Sequence, residues 1–305
     1  QQVYVRTEVL PSIAALSRDG KNLSAFLQAR EVQPFLANDA AFQRLWQQLH
    51  ITASSEAVET GTAVSVRNTW DPEGHWHLLA RAPFQNIPLP SGPLRVRLDR
   101  PGFVSRELQL HLPTAFSSPA ACRLIAQPDD RAGSVWIPGN TTAGSGLTPP
   151  INAAFWLDRT EVSNADYLEF VQAGGYENPT FWQTTLFVRD DAPLTFAEAM
   201  SLFVDQTGRP GPSTWRNGTF PNHAGAFPVS GVSWFEAAAY ASYRAASLPT
   251  VHHWEWAAST DQPGIVAAQG NHMSGQPAPC GTTDAVGRFD ARELAGNVRE
   301  WCWNA

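Results

Sequence analysis

The first fifty residues carry apolar side chains at helical spacing. Leu10, Ile13, Ala14 and Ala15 share one stripe, Gly20 interrupts it, and Leu23, Phe26, Leu27 and Ala29 form a second. Asn38 or Asp39 then stands where a third helix would be capped, ahead of Phe42, Leu45, Trp46 and Leu49. At residue 51 the period changes to two. Val64-x-Val66, His75-x-His77-x-Leu79, Leu94-x-Val96-x-Leu98 and Leu108-x-Leu110-x-Leu112 alternate, which predicts four or more short antiparallel strands. Asp71-Pro72-Glu73-Gly74, Pro88-Leu89-Pro90-Ser91-Gly92 and Arg100-Pro101-Gly102 read as the turns between them. Residues 114–134 are loop-like. Beyond them, tryptophan and glycine recur without a sustained period, which predicts a fold held by side-chain clusters and buried loops.

Helix starts in this last part are marked by caps. Ser163 with Asp166 is a capping-box pair, flanked by Val162 and Tyr167 as a hydrophobic staple, and the helix behind it buries Tyr167, Phe170 and Val171. Ser233 and Glu236 form a second box, beside Trp234 and ahead of an alanine-rich helix. Thr250 caps a short helix that presents Trp254 and Ala257. The tryptophans at 136, 156, 182, 215, 234, 254, 256, 301 and 303 are expected mostly in the core, with one or two lining a ligand pocket.

The domain reading is helices at 1–50, a small β-sandwich at 51–113, a linker at 114–134 and a loop-rich module at 135–305, an α+β chain overall. With 43% apolar residues the chain can build a core. It has no run long enough to span a membrane. It begins Gln1-Gln2-Val3, without Met or leader character, and so reads as a mature or internal fragment.

Charge sharpens the picture. Residues 1–130 hold twelve basic and twelve acidic side chains, and residues 131–305 hold nine and sixteen, so the net −7 belongs to the second half. That balance excludes a nucleic-acid partner. A single lysine, Lys21, excludes a phosphate-cradling kinase or P-loop core. Three cysteines, Cys122, Cys280 and Cys302, form no CxxC, which removes zinc-ribbon and thioredoxin readings and leaves a Cys280–Cys302 disulfide open. No Gly-x-Ser-x-Gly elbow points to a hydrolase. His75 and His77 read as a surface pair. His252, His253 and Glu255 have i, i+3 spacing for a transition metal but lack a further ligand.

The end of the chain is its most specific feature: Glu293-Leu294-Ala295-Gly296-Asn297-Val298-Arg299-Glu300-Trp301 sets a turn at Gly296-Asn297, a carboxylate at Glu300 and a packing anchor at Trp301. This Gly-Asn-Val-x-Glu-Trp core resembles the signature of the formylglycine-generating enzyme (sulfatase-modifying factor) family. So do Val135-Trp136-Ile137-Pro138-Gly139 with Phe155 to Phe170, Phe227 to Ala241, and Ser247 to Ala258. The resemblance implies a loop-rich α/β module related to C-type lectins, incomplete here because the family continues where this chain stops at Ala305. Val251 and His253 stand where the family usually has acidic residues, a variant similar to the subgroup attached to bacterial serine/threonine protein kinases. Ile87 to Val96 with Pro101-Gly102-Phe103 resembles a PEGA-type β domain, and residues 6–49 are similar to one tetratricopeptide-like unit.

The resemblance implies calcium at the terminal motif, through the Glu293 and Glu300 carboxylates and the Gly296 and Val298 carbonyls, which are oxygen ligands suited to a hard cation. Asn271 and His272 would belong to a second site. Copper, and with it a catalytic residue, would require the family's paired cysteines, which lie beyond the terminal motif. Two readings stay open. One is an extracytoplasmic ligand-binding or sensory module, the C-terminal part of a bacterial transmembrane kinase whose membrane helix precedes this segment. The other is a formylglycine-generating oxidase acting on the cysteine of a peptide or protein. A glycan binder has no residue pointing to it. A paired-cysteine segment after the motif would decide for the oxidase.

Overall fold

The computed structural model describes residues 2–71, 74–110, 116, 122–126, 131–139, 151, 153–182, 187–260 and 263–304. The chain divides into two compact units. The first is Gln1–Asp130 with short returns at Thr260–Gln262 and Arg288–Asp290, and the second is Arg131–Ser259, Pro263–Gly287 and Ala291–Ala305. The expected linker at 114–134 falls largely outside the described residues, as does Leu112 of the fourth expected strand.

The first unit opens with α1 (Gln2–Tyr4), a π-helical turn (Val5–Val9) and α2 (Leu10–Arg18). Gly20, at φ +74, ends this run, because only glycine adopts that backbone without strain. Next come α3 (Asn22–Leu36) and α4 (Ala40–Leu49). Of the two cap candidates Asp39 is the one used: its side chain accepts from the amides of Ala41 and Phe42. Ile13, Ala25, Ala29, Leu36, Phe42 and Leu49 bury together between the helices.

Strands β1 (His50–Ala53), β2 (Ala63–Asn68), β3 (His77–Arg81), β4 (Ile87–Pro90), β5 (Leu94–Asp99) and β6 (Arg106–Leu110) follow. β3-β2-β5-β6 form one antiparallel sheet and β1-β4 a separate ribbon. Val64, Val66, Leu94, Val96, Leu98 and Leu108 point from the sheet into a core that also takes Ala53 and Leu89 from the ribbon. The sequence reading made Pro88 and Pro90 part of a turn; they lie in β4. Thr52 faces Pro88 and His50 faces Pro90 across the ribbon. The amide of Ser91 donates to Leu49, which sets the alternation so that the residues bonding to β1 are Ile87 and Leu89. The prolines fall at positions that need no donor. His75 precedes β3 and only His77 lies in it.

In the second unit, β7 (Ser134–Ile137) pairs antiparallel with β8 (Phe155–Asp158), Val135 opposite Leu157. The helices are α5 (Asn164–Gln172), α6 (Phe196–Met200), α7 (Trp234–Tyr243), α8 (Val251–Ala258) and α9 (Pro263–Gln269). A short hairpin pairs Val188–Arg189 with Ala192–Pro193. Capping boxes close the N-termini of α5 (Ser163 with Asp166) and α7 (Ser233 with Glu236). A third, Thr195 with Glu198, opens α6. Thr250 caps α8 by accepting from the His253 amide.

The core between these helices is aromatic. Tyr167, Phe170, Tyr176, Trp182, Trp215 and Tyr240 are buried together. Tyr167 stacks on Tyr240 at 5.3 Å between centroids and meets Trp215 edge-on at 6.1 Å. Gly175 is obligatory in this packing, since a Cβ there would sit 2.3 Å from the Phe170 ring. Buried polar atoms find partners inside the core. Trp215 Nε1 donates to Asn164 Oδ1 at 2.8 Å, and the Asn164 amide donates to Ala224 and Phe227 carbonyls. Glu236 has two roles: one carboxylate oxygen accepts the Ser233 amide as a cap, and the other accepts Tyr176 Oη–H at 2.7 Å. Burial raises the Glu236 pKa, and the bonds from Ser233 and Tyr176 oppose the rise.

Tyr176→Phe removes that donor while leaving a buried carboxyl oxygen. It is expected to cost about 1–3 kcal/mol of stability. The check is the urea midpoint of the variant against the wild type; an unchanged midpoint would sink this account of the core.

Candidate functional site

The terminal segment contains no regular helix or strand. Three of its residues have left-handed backbone: Glu293 at φ +62, Gly296 at φ +109 and Asn297 at φ +60. Such a conformation in glutamate is strained and persists only if the surroundings hold it. Here they do. The Glu293 amide donates to Ala285, and its carboxylate accepts the amides of Gly281 at 2.7 Å and Thr283 at 3.1 Å. Gly296 lies against Asn271 and His272, and a Cβ there would come within 3.0 Å of both.

Asn297 is the hub. Its Nδ2 donates to Glu161 Oε2 at 3.1 Å and to the Ala278 carbonyl at 3.2 Å. Its Oδ1 accepts the Ala278 amide at 2.7 Å and Asn271 Nδ2 at 3.1 Å. Asn271 and His272 are therefore brought to the same turn as the motif, where the Asn271 amide braces Asn297 and Gln276. Glu161 comes from the loop after β8, within the family-like segment from Phe155 to Phe170, but was not among the expected ligands.

Glu161 is only 9% exposed and Glu293 only 2%. Burial, with Glu293 and Glu300 adding to it, pushes the Glu161 pKa up to about 8. Glu161 Oε1 has no hydrogen-bond partner among the described residues. Glu300 faces solvent, yet protein atoms crowd it closely enough to raise its pKa, with Glu293 adding to the rise, while its Oε2 accepts Trp254 Nε1–H.

A cavity of about 230 Å³ opens beside the segment, with Trp156, Glu161, Tyr240, Arg244, Trp254 and Glu300 in its wall. A neighbouring cavity of about 330 Å³ shares Trp156 and Leu248 and adds His253 and Trp303. Arg244 donates to Tyr240 Oη at 2.9 Å.

Of the nine tryptophans expected mostly in the core, Trp182 and Trp215 are buried, whereas Trp301 and Trp303 are 46% and 43% exposed. Trp301 is a tethered surface indole, its Nε1 donating to the Val232 carbonyl, and Trp234 likewise donates to the Cys302 carbonyl. Trp254 lines the cavity.

All three cysteines are free, so the Cys280–Cys302 disulfide does not form. Burial pushes the Cys122 thiol up to about 11 and, with the charges of Glu161 and Glu293, the Cys280 thiol up to about 12. Cys302 is also raised, by burial and by Glu300 and Glu255. His252 Nδ1 lies 3.6 Å from Glu255, and His253 Nδ1 is taken by Thr250 Oγ1 at 2.6 Å. No group of three or more His, Cys, Asp or Glu arranged to hold a metal ion occurs among the described residues. None of their helices is long and apolar enough to cross a membrane.

Residues 131–305 match the sulfatase-modifying factor enzyme 1-like domain. The chain belongs to this family. A hercynine oxygenase of Mycolicibacterium smegmatis is 30% identical over 165 residues, 48% of this chain and 36% of that protein. The serine/threonine-protein kinase pkn1 of Chlamydia pneumoniae is 26% identical over 160 residues, 49% of this chain and 22% of the kinase. A formylglycine-generating enzyme of Thermomonospora curvata is 28% identical over 227 residues, 57% of this chain and 72% of the enzyme. The chain thus spans about a third of the length of the hercynine oxygenases and about a fifth of the kinases.

The Glu161 carboxyl has a folded pKa above its unfolded one, so the fold favours the neutral acid. That contribution is whole below about 4.5 and is lost as pH rises through about 8. In chelator, the melting temperature of the wild type relative to Glu161→Gln should fall across this window. A flat difference between the two melting curves would refute the buried carboxyl confrontation.

Proposed function

We propose that residues 131–305 form a ligand-binding module of the sulfatase-modifying-factor type, carried on the extracytoplasmic side of a bacterial transmembrane serine/threonine kinase. The observation that carries this reading is the walled cavity beside the terminal motif. Indoles of Trp156 and Trp254 supply apolar surface there, and Glu161, Glu300 and Arg244 supply directional polar groups. The similarity to chlamydial Pkn1 kinases supports attachment to a kinase. The ligand is a small molecule or a peptide segment.

Calcium held by Glu293, Gly296, Val298 and Glu300 would stiffen the loops that wall the cavity, since the same segment supplies Glu300 and Arg299 to its lining. When bound, the ion contributes charge neutralisation and a fixed geometry.

A second reading, an oxidase acting on a substrate cysteine, is supported by relatives named formylglycine-generating enzyme. Such chemistry needs reactive thiolates, because soft copper(I) prefers sulfur ligands. All three thiols of this chain are held protonated at neutral pH by burial. The binding reading is therefore favoured for these residues.

The test offers the chain, loaded with copper(I), a peptide carrying Cys-x-Pro-x-Arg under oxygen. No aldehyde is expected by mass spectrometry. Aldehyde formation that disappears in Cys280→Ser or Cys302→Ser would move the oxidase reading to first place. In parallel, a thermal-shift screen of small molecules and peptides should yield ligands whose binding is lost in Trp254→Ala or Arg244→Ala variants that remain folded. If every ligand binds both variants as well as the wild type, the cavity is not the site.

A further inference from the structure

We propose that the cavity beside β8 takes an extended, basic segment of a partner protein, which adds to the open edge of that strand as its second neighbour. The proposal rests on the ligand-binding reading above and names the class and the pose of the occupant.

β8 has one satisfied edge and one open edge. The Arg159 amide donates to the Gly133 carbonyl, one step beyond the Ser134–Asp158 pair. Antiparallel pairs alternate, so Val135–Leu157 and Ile137–Phe155 are the hydrogen-bonded ones. Trp156 and Asp158 therefore turn their amides and carbonyls away from β7. The amide of Ser134, opposite Asp158, has the same phase: it also points away from the ribbon and donates to Arg131. Only β7 pairs with β8, and the outward backbone groups of Trp156 and Asp158 meet no backbone partner among the described residues. An edge of this kind is a template for another extended backbone, which presents donors and acceptors at the matching spacing.

The space along that edge is already shaped. Trp156, Leu157 and Asp158 line the cavity of about 230 Å³, and Phe155, Trp156 and Leu157 line the one of about 330 Å³. Ser247, Leu248 and Pro249, in a stretch without helix or strand, line both. The two cavities are thus neighbouring compartments along one strand. A compact small molecule would fill one compartment and leave the other, with the strand edge, open. A peptide strand runs past both. Its successive side chains point to opposite faces, so apolar residues at alternate positions meet the walls built by Val229, Val232, Leu294 and Trp303.

Charge selects among such peptides. The wall itself is mixed, with Asp158, Glu161 and Glu300 against Arg244, Arg292 and Arg299. The sign of the longer-range field comes from residues 131–305 as a whole, with sixteen acidic and nine basic side chains. That field attracts a basic segment and repels an acidic one.

The experiment uses the full chain and fluorescent peptide libraries of about six residues, in basic, neutral and acidic sets. Basic peptides with apolar residues at alternate positions should bind saturably, and less well as salt is raised. The best binder is then remade with one N-methyl group at each backbone nitrogen in turn. Methylation at the alternate nitrogens that face β8 should weaken binding by about tenfold or more, and methylation between them should change it by less than about twofold. Asp158→Pro removes one outward donor and keeps the bonds to β7, just as Pro88 sits in β4, and it should weaken the same peptide. Near-UV circular dichroism checks the fold of that variant. If it does not fold, hydrogen exchange on the wild type decides in its place: the Trp156 and Asp158 amides should become protected when the peptide binds. Peptides that bind without alternation in the methyl scan would overturn strand addition and leave the cavity reading in place. Binders confined to the acidic set would overturn the charge assignment. If no peptide binds while small molecules bind in a way that needs Trp254 and Arg244, the cavity is a site but its occupant is no strand. If neither class binds, both readings fall.

Discussion

The side-chain amide of Asn297 joins three stretches of the second unit that are far apart in sequence. It donates to Glu161 after β8, both donates to and accepts from Ala278, and accepts from Asn271. All of this depends on a left-handed backbone at Asn297, one of the few residue types that adopts it at modest cost. Gly296 before it leaves room for Asn271 and His272 to approach. Replacing either residue would release the loop of residues 270–280 and the Glu161 carboxyl together. The Gly-Asn pair of the family signature is thus a structural clamp first, and the carboxylates around it depend on that clamp for their positions.

The aromatic core works by a different logic from the sheet core of the first unit. In the sheet, alternation alone decides which residues are buried: Val64, Val66, Val96 and Leu98 point one way because the pleat does. Around α5 and α7 no such period exists. Position is set by large rings meeting edge-on or stacked, and by polar tips finding buried partners, as Trp215 does at Asn164 and Tyr176 at Glu236. Such a core tolerates irregular chain, because each ring buries as much surface as a full turn of a smaller helix face. That explains how a unit with few strands remains compact.

What the sequence made legible follows from the range of the interactions concerned. Caps at Asp39, Ser163, Ser233 and Thr250 are decided within three or four residues, and all can be read from the chain. The alternating strands β2, β5 and β6 are equally local in origin. Pro88 and Pro90 misled because proline usually marks a turn; β4 accommodates them by turning their nitrogens away from β1, which depends on a pairing partner nearly forty residues distant. Trp301 was expected to be an anchor because of its motif, yet the structure leaves nearly half of it exposed with its N–H tethered to Val232. Side-chain type predicts burial on average, and the neighbours that decide a particular case are brought in by tertiary contacts. Glu161 stands in the family-like segment from Phe155 to Phe170, yet it was not singled out, because its partner Asn297 is brought to it only by the fold.

These carboxyl groups also explain how a charge imbalance can be built into a fold. Residues 131–305 carry sixteen acidic against nine basic side chains. Much of this acidity is absorbed locally by backbone donors. Asp205 accepts the amides of Thr207, Arg209 and Gly218, which lower its pKa to about 2, and Glu198 serves as a cap. Glu161, Glu293 and Glu300 differ. Glu293 has its amides, and burial together with its charge raises the affinity of Glu161 and Glu300 for protons, so the positions of those two carry an unfavourable interaction that backbone donors do not offset. A fold that holds two such groups by named bonds, Glu161 through Asn297 and Glu300 through Trp254, holds them against their mutual repulsion.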